Sequence, residues 1–273
     1  MPAQESIPAS DRSPNPALRS LLQAFPASFA FIQCLVSPGS AGYELRHVAD
    51  REAPSSELRP LAVDQLRAWS QVAASGVFRP LKGAPDLRPG WVVTGLSVDE
   101  LDRALEMLYP GALADWHHFT TREGGATSFE AYMGRQTGMY RSAKNLPAKD
   151  AAHVIDACCT AAFCLKRRIW SVGDFPADGP EHKSIVPCLE PCAVMLELAR
   201  KAQRITQEEP VSLQLAPSDW ETIKHALETA LVSPIGRLRV GDVASPSNPR
   251  RLQLLLNRLN EALPCEDKTG ESH

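Results

Sequence analysis

Five of the seven cysteines lie between residues 158 and 192, and no other stretch of the sequence points so directly to chemistry. Cys158, Cys159 and Cys164 form a first group, and Cys188 and Cys192 form a second. Four residues separate Cys159 from Cys164, and three separate Cys188 from Cys192. Two cysteine pairs joined by a loop can supply four thiolates to one centre, and thiolates select zinc, copper(I) or iron–sulfur clusters. The spacing therefore predicts a metal or cluster site.

The second group comes directly before an apolar helical pattern at residues 193–200. This pattern places Cys192 in the first helical turn, where a preceding proline, Pro191, is tolerated. Free N–H groups and the helix dipole favour negative charge there. A four-iron cluster with four thiolates is net negative, so the position suits it. The basic run at residues 166–168 would offset that charge and raise the reduction potential.

The spacing alone leaves other interpretations open. A structural zinc site also uses four thiolates, usually with two to four residues inside each pair, which fits only loosely here. Buried cysteines are a further alternative, since free cysteine is among the most buried residue types. A helix over residues 150–159 would put Cys158 on its apolar stripe, which makes Cys159 the better ligand and Cys158 its alternative. Because Cys159 and Cys164 cannot share one helix face, a break near residues 160–162 is required.

Composition narrows the class of protein. The 273 residues carry 29 basic and 32 acidic side chains, a net charge of −3 that gives no reason to expect nucleic acid or an anionic membrane as partner. No stretch approaches 18 apolar residues, so no transmembrane helix is expected. The N-terminus lacks an apolar signal core. We therefore expect a cytoplasmic chain, in which an odd number of cysteines indicates metal or redox use rather than a disulfide framework.

The remaining pattern predicts the elements that must position the cysteines. Helices are expected at residues 16–25, 61–74, 220–231 and 250–263, and strands at residues 29–36, 43–48 and 91–94. A capping box of Ser97 with Glu100 begins a further helix. These elements do not alternate as βαβ units. The prediction is an α+β chain, with a small mixed α/β N-terminal domain followed by a mainly helical cysteine-rich domain.

Several residues outside the cysteine groups are candidates for other roles. Cys34 lies in a predicted strand and is expected in the core, whereas Cys265 is expected to be a free thiol in a polar tail. Asp115, His117 and His118 are close neighbours, and side chains of these types serve in catalysis and metal binding. We favour a surface or packing role for them, because adjacent residues on a regular element face different directions. The basic residues of the last helix are interpreted as a solvated face; they are Arg250, Arg251 and Arg258.

Four stretches together resemble a known two-part module. They read LRPGWVVTGLSVDELDRALEMLYPGALADWH, GRQTGMYR, CCTAAFCLKRRIW and PCLEPCAVMLELARK. The module is a stabilising domain followed by a 4Fe-4S cluster-binding domain, and relatives carry it behind a CbiX-type sirohydrochlorin chelatase domain. The resemblance spans roughly residues 28–205. It implies that four cysteines ligate the cluster, with Cys158 in reserve for Cys159; the four are Cys159, Cys164, Cys188 and Cys192.

The resemblance sets the expected domain organisation and its limits. We expect a disordered tail at 1–15, a stabilising-type domain at 16–135, the iron–sulfur domain at 136–205, a helical extension at 206–265 and a disordered tail at 266–273. No chelatase-like domain is expected in this sequence, so chelatase activity is not carried over. A redox partner or a separate chelatase, and a link to tetrapyrrole metallation, are implied by the resemblance alone.

Three hypotheses for function follow. The leading one is a 4Fe-4S protein with an electron-transfer or accessory role. The second is a scaffold in which a zinc ion or a cluster staples the loop between the cysteine groups. The third is an enzyme that uses Asp115, His117 or His118. The sequence contains no recognisable catalytic constellation, such as a nucleophile beside a base, so no catalytic site is expected.

Overall fold

The computed structural model describes residues 15–71, 87–121, 147–171, 184–209, 214–232 and 245–262. These residues fall into two compact units, the first ending before residue 124 and the second containing everything described from residue 147 onward. Both strands and helices are present, which confirms the α+β prediction. The predicted tails, the boundary between 135 and 136, and Cys265 lie outside the described residues and stay predictions.

The first unit contains a five-stranded sheet in the order β1-β2-β3-β5-β4. Its strands are β1 (Phe29–Phe31), β2 (Cys34–Gly39), β3 (Gly42–His47), β4 (Arg59–Pro60) and β5 (Trp91–Leu96). Every pairing is antiparallel except that of β4 with β5. The predicted hairpin between residues 29 and 48 is confirmed for β2 and β3. Its tight turn lies between Gly39 and Gly42, and a Cβ on Gly42 would lie 2.5 Å from the carbonyl oxygen of Leu96.

The single strand predicted over residues 29–36 is wrong, because the chain reverses within it. Phe31 pairs with Cys34, so Ile32 and Gln33 form a two-residue turn between β1 and β2. Ile32 has a φ of 58°, a conformation that a β-branched residue rarely adopts. Two-residue turns of this kind usually contain glycine or asparagine, and these residues mark the turn in a sequence. An apolar run without either residue gave no signal of the reversal.

Four helices accompany this sheet in the described residues: α1 (Pro16–Ala24), α2 (Val63–Gln71), α3 (Val98–Leu108) and α4 (Ala112–Thr121). The capping box predicted for α3 is confirmed, with Ser97 Oγ accepting from the Glu100 amide at 3.3 Å and Glu100 Oε2 accepting from the Ser97 amide at 2.9 Å. The apolar side of α3 is fully buried between the sheet and α2. Cys34 is also fully buried in this core, as predicted.

The second unit is mainly helical. Its described elements are α5 (Ala148–Cys159), β6 (Arg167–Arg168), β7 (Pro187–Cys188), α6 (Ala193–Gln207), α7 (Pro217–Val232) and α8 (Pro249–Ala262). Helix α5 packs against both α6 and α8, and α7 packs against α8. The core between them contains Val154, Ile155, Trp170, Leu198 and Leu254. Two of the five clustered cysteines, Cys158 and Cys159, belong to the same core.

Polar contacts tie α8 to its neighbours at the opposite end from its first turn. Arg258 donates to Asp150 Oδ1 at 2.8 Å and to the hydroxyl of Thr206 at 3.1 Å. The ring of His153 is hydrogen-bonded to Glu261 at 2.8 Å. The interpretation of Arg258 as part of a solvated face is therefore wrong. Within the described residues, no helix is long and apolar enough to cross a membrane.

Candidate metal centre

The first cysteine group lies where α5 ends. Thr160 is the C-cap residue and is extended, with φ −71° and ψ 159°. Its carbonyl oxygen accepts from the amides of Phe163 and Cys164, at 2.9 and 2.8 Å. The predicted helix break near residues 160–162 is therefore confirmed. This tight turn brings Cys164 back toward the end of the helix that carries Cys159.

A short parallel pairing brings the second cysteine group beside the first. In β6 and β7, Arg167 pairs with Pro187 and Arg168 pairs with Cys188. The hydroxyl of Ser184 adds a bond of 2.6 Å to the carbonyl oxygen of Leu165. Two-residue strands carry almost no sequence signal, and this pairing was not predicted. It fixes Cys188 in register with the segment that follows Cys164.

Cys192 is the N-cap residue of α6 rather than a member of its first turn, so that prediction is corrected. Its backbone is extended, with φ −80° and ψ 161°, and its carbonyl oxygen accepts from the Leu196 amide at 3.0 Å. The Cys192 side chain makes no capping hydrogen bond. The thiol thus stands at the positive end of a 15-residue helix. It is the exposed member of the five cysteines.

The five sulfur atoms lie close enough to act on one another electrostatically. Burial raises the pKa of Cys159 well above its usual value, and negative charge on each of the other four cysteines would raise it further. Burial also raises the pKa of Cys164, and that of Cys188 to about 12, with smaller contributions from other cysteines of the group. The four predicted ligands therefore lie within electrostatic range of one another.

Cys158 differs from Cys159 in its neighbours. Burial raises its pKa to about 12, while the guanidinium of Arg250 lowers it through charge and a hydrogen bond. Cys192 and Cys164 oppose that lowering. Both Cys158 and Cys159 are buried, so burial alone does not separate the ligand from its alternative. All six described cysteines are free thiols, and none is joined in a disulfide.

Hydrogen-bond donors face these sulfur atoms from the protein side. The indole N–H of Trp170, a residue with 1% exposure, donates to Cys188 Sγ at 3.4 Å. The backbone N–H of Lys166 lowers the pKa of Cys164 against the larger effect of burial. Donors of this kind stabilise a thiolate relative to a thiol. They suit sulfur ligands of an anionic cluster, whose potential depends on hydrogen bonds to sulfur.

The basic residues near the site are more deeply placed than the sequence suggested. Arg168 is 6% exposed, donates to the carbonyl oxygen of Trp170 at 2.6 Å, and lies over the Trp170 ring at 5.2 Å. Arg250 is 5% exposed and donates to the carbonyl oxygen of Phe163 at 2.6 Å. Its interpretation as part of a solvated face is therefore wrong. Neither the indole donor nor Arg250 was identified from the sequence as a part of the site.

The donor set fits a thiolate-ligated cluster. The candidate ligands among the described residues of the site are cysteine thiols, and soft ligands select iron–sulfur clusters, zinc or copper(I). A tetrahedral zinc ion with Zn–S bonds of about 2.3 Å would hold its sulfurs about 3.8 Å apart. Among the described residues, no group of three or more His, Cys, Asp or Glu is gathered as it would be around one ion. A four-iron cluster instead presents four separate corners, each taking one thiolate.

The second candidate group, Asp115, His117 and His118, lies on α4. Trp116 between them is buried, His117 is half-buried and His118 is exposed. Consecutive helix residues point in different directions, as expected. The described part of this group therefore offers no convergence of side chains comparable to that of the cysteines.

Comparison with known proteins places this geometry in context. Residues 23–120 match the family described as the DR2241 stabilising domain, and residues 121–201 match the 4Fe-4S iron-sulfur cluster binding domain. Helices α7 and α8 lie beyond both matches. A comparison with curated proteins finds no match.

A solved structure provides a second line of comparison. DR2241 from Deinococcus radiodurans is 25% identical to this chain, with a TM-score of 0.52 over 70% of this chain. It is described as a multi-domain protein with structural similarity to chelatases and two additional novel domains. This chain covers about 40% of the length of that protein. The resemblance recognised in the sequence is confirmed: the chain carries a DR2241 stabilising domain followed by a 4Fe-4S cluster-binding domain, whose cofactor is a 4Fe-4S cluster.

Proposed function

We propose that Cys159, Cys164, Cys188 and Cys192 ligate the 4Fe-4S cluster and that the chain uses it to transfer electrons. Backbone geometry supports this proposal: the turn after α5 positions Cys164, the pairing of β6 with β7 positions Cys188, and Cys192 is the N-cap of α6. Four protein thiolates occupy all four irons, so no iron is left open to bind substrate. A cluster of this kind can exchange electrons or support structure, and it does not activate a ligand at iron.

The surroundings of the thiols favour electron transfer. Cys158 and Cys159 are buried, whereas Cys192 is exposed, so one edge of the site faces solvent. Electron exchange with a partner requires such an edge. On the buried side, Trp170 and the Lys166 amide supply donors that set the potential. A cytoplasmic location is part of the proposal, because the thiols must stay reduced until the cluster is inserted.

Anaerobic isolation with iron and acid-labile sulfide analysis tests the cofactor and its ligands. We expect a coloured protein with four irons and four sulfides per chain, the composition of the cluster itself. Cys188→Ser should lose the cluster. Cys34→Ser provides a control, because Cys34 is also a free thiol but lies in the first unit. A colourless protein with stoichiometric zinc, or a Cys188→Ser variant with full iron and sulfide, would refute the proposal.

Redox titration separates electron transfer from a structural role. We expect reversible one-electron reduction with no loss of iron. The alternative of a stapled scaffold has one observation in its favour, because β6 and β7 have only two residues each and two-stranded pairings are marginal alone. A cluster that cannot be reduced without loss of iron would favour that alternative.

We infer that the chain is linked to tetrapyrrole metallation as an accessory to a separate chelatase. Support comes from the relative DR2241, which is described as structurally similar to chelatases and which this chain covers in part. Sirohydrochlorin metallation by a CbiX-type chelatase, measured with and without this chain in its reduced form, tests the link. We expect the chain to accelerate metal insertion and the Cys188→Ser variant to have no effect. Equal effects of both forms would show that the cluster plays no part in the link.

A further inference from the structure

The first turn of α8 reaches the cysteine site from outside both matched domains. Pro249 begins this helix, and the last matched residue of the cluster-binding domain is 201. Leu254 packs into the core that contains Cys158, Cys159 and Trp170. Asn248 is fully buried before the helix, and its side-chain oxygen accepts from the Arg250 amide at 3.0 Å. These contacts fix the beginning of α8 against the end of α5.

The guanidinium of Arg250 is placed on the turn that connects two of the cysteines. Its Nη2 donates to the carbonyl oxygen of Phe163 at 2.6 Å, and its Cζ lies 5.6 Å from the centre of the Phe163 ring. Phe163 comes directly before Cys164. Two separate contacts therefore hold this turn, one through hydrogen bonding and one through cation–π attraction. The orientation of Cys164 depends on that turn.

Arg250 is also a buried positive charge beside thiols. It has 5% exposure, and removing a cation from water is costly unless negative charge or hydrogen bonds compensate. Its hydrogen bond to the carbonyl oxygen of Phe163 places the guanidinium one residue from Cys164. A cluster with four thiolates would place net negative charge in the same position. Added electrons increase that negative charge, so a nearby cation favours the reduced state.

We propose that Arg250 is a positioning residue of the iron–sulfur site, which holds the Phe163 turn and raises the reduction potential of the cluster. The proposal rests on the proposed function. It assigns a role to α8, which would complete the environment of a cofactor bound by the preceding domain. Lys and Arg are not equivalent here, because only the guanidinium can both donate in the plane of the carbonyl and stack on the ring.

Redox titration of the full chain, monitored by visible absorption and by electron paramagnetic resonance of the reduced cluster, tests the proposal. In Arg250→Gln we expect the ratio of reduced to oxidised cluster at the wild-type midpoint to fall about tenfold, equivalent to about 59 mV for a one-electron couple. In Arg250→Lys, which keeps the charge, this ratio should fall less. Arg251→Gln is the matched control, since it removes the same charge from the next residue of α8, and its midpoint should equal that of wild type.

An Arg250→Gln variant with full iron and sulfide and an unchanged midpoint overturns the proposal. If Arg250→Gln loses the cluster but Arg250→Lys retains it, charge at this position is required and the proposal stands. If neither variant folds, as judged by circular dichroism, the residue acts only in folding and the proposal fails. A wild-type chain without iron and sulfide overturns the proposed function as well, whereas an unchanged midpoint leaves that function intact.

Discussion

Replacing Trp170 by phenylalanine should lower the reduction potential of the cluster. The substitution keeps an aromatic ring in the core but removes the indole N–H that donates to Cys188 Sγ at 3.4 Å. A typical intramolecular hydrogen bond contributes about 0.5–1.5 kcal/mol net. We take this hydrogen bond to be about 0.5–1 kcal/mol stronger in the reduced cluster, which is more negative, than in the oxidised cluster. Its loss in Trp170→Phe then lowers the midpoint potential by about 20–45 mV for a one-electron couple. Such a shift is measurable by anaerobic redox titration.

The same substitution also removes buried volume, and this effect must be separated from the first. Trp170 is 1% exposed, so the smaller ring should cost about 1–2 kcal/mol of unfolding free energy. Trp91→Phe supplies a matched control, because Trp91 is fully buried and its indole N–H donates to the carbonyl oxygen of Arg88 at 2.8 Å. That variant should lose comparable stability in the first unit and leave the midpoint unchanged.

A Trp170→Phe variant with full cluster content and the wild-type midpoint would show that the indole does not act on the ligand sulfur. Equal midpoint shifts in Trp170→Phe and Trp91→Phe would trace the effect to general destabilisation rather than to the hydrogen bond. A higher midpoint in Trp170→Phe would contradict the sign of the argument.

Three further predictions follow from the described contacts. Cys158→Ala should keep iron and sulfide whereas Cys159→Ala should lose them, measured in parallel by metal analysis; the reverse result would exchange their roles. Burial lowers the pKa of His47 below its ordinary 6.5, and its Nδ1 accepts from the Ala49 amide at 3.0 Å, so the folded state disfavours the proton. Since the unfolded state then binds more protons, the first unit should lose stability as pH falls below about 6.5 and show no His47 effect above that pH. Denaturant unfolding at several pH values measures this loss. The free energy of unfolding should depend less on pH in His47→Gln than in wild type. Removal of iron by an anaerobic chelator should abolish hydrogen-exchange protection of the amides in β6 and β7, while the amides of α3 stay protected. Unchanged protection of β6 and β7 would argue against coupling of cluster binding to folding.

Much of the framework was predictable because its signals are local. The capping box of Ser97 and Glu100 lies within four residues, and the apolar stripe of α5 repeats at helical spacing. The cysteines were predictable as a site because thiol chemistry is narrow and their grouping is uncommon. Even the break after Cys159 followed from spacing, since one helix face cannot carry both Cys159 and Cys164.

The missed features depend on contacts between distant segments. The turn at Ile32 lacks glycine, and the fold imposes a backbone conformation that the residue type disfavours. The pairing of β6 with β7 involves two residues on each side, too few to leave a pattern. Arg250 looks like one basic residue among several on a surface helix, yet 87 positions separate it from the carbonyl that it contacts. Periodicity cannot reveal which arginine of a basic helix turns inward.

The distribution of donors around the thiols explains how one small unit could both hold and tune an anionic cofactor. Trp170 acts on Cys188 and the Lys166 amide acts on Cys164, while Arg250 acts on Cys158 and Cys164, so the positive groups come from separate segments. Trp170 and Arg250 are buried, where a low dielectric strengthens their effect. Cys192, in contrast, is exposed to solvent. The proposed electron transfer requires a potential set by buried donors and an edge open to a partner, and a purely structural staple requires neither.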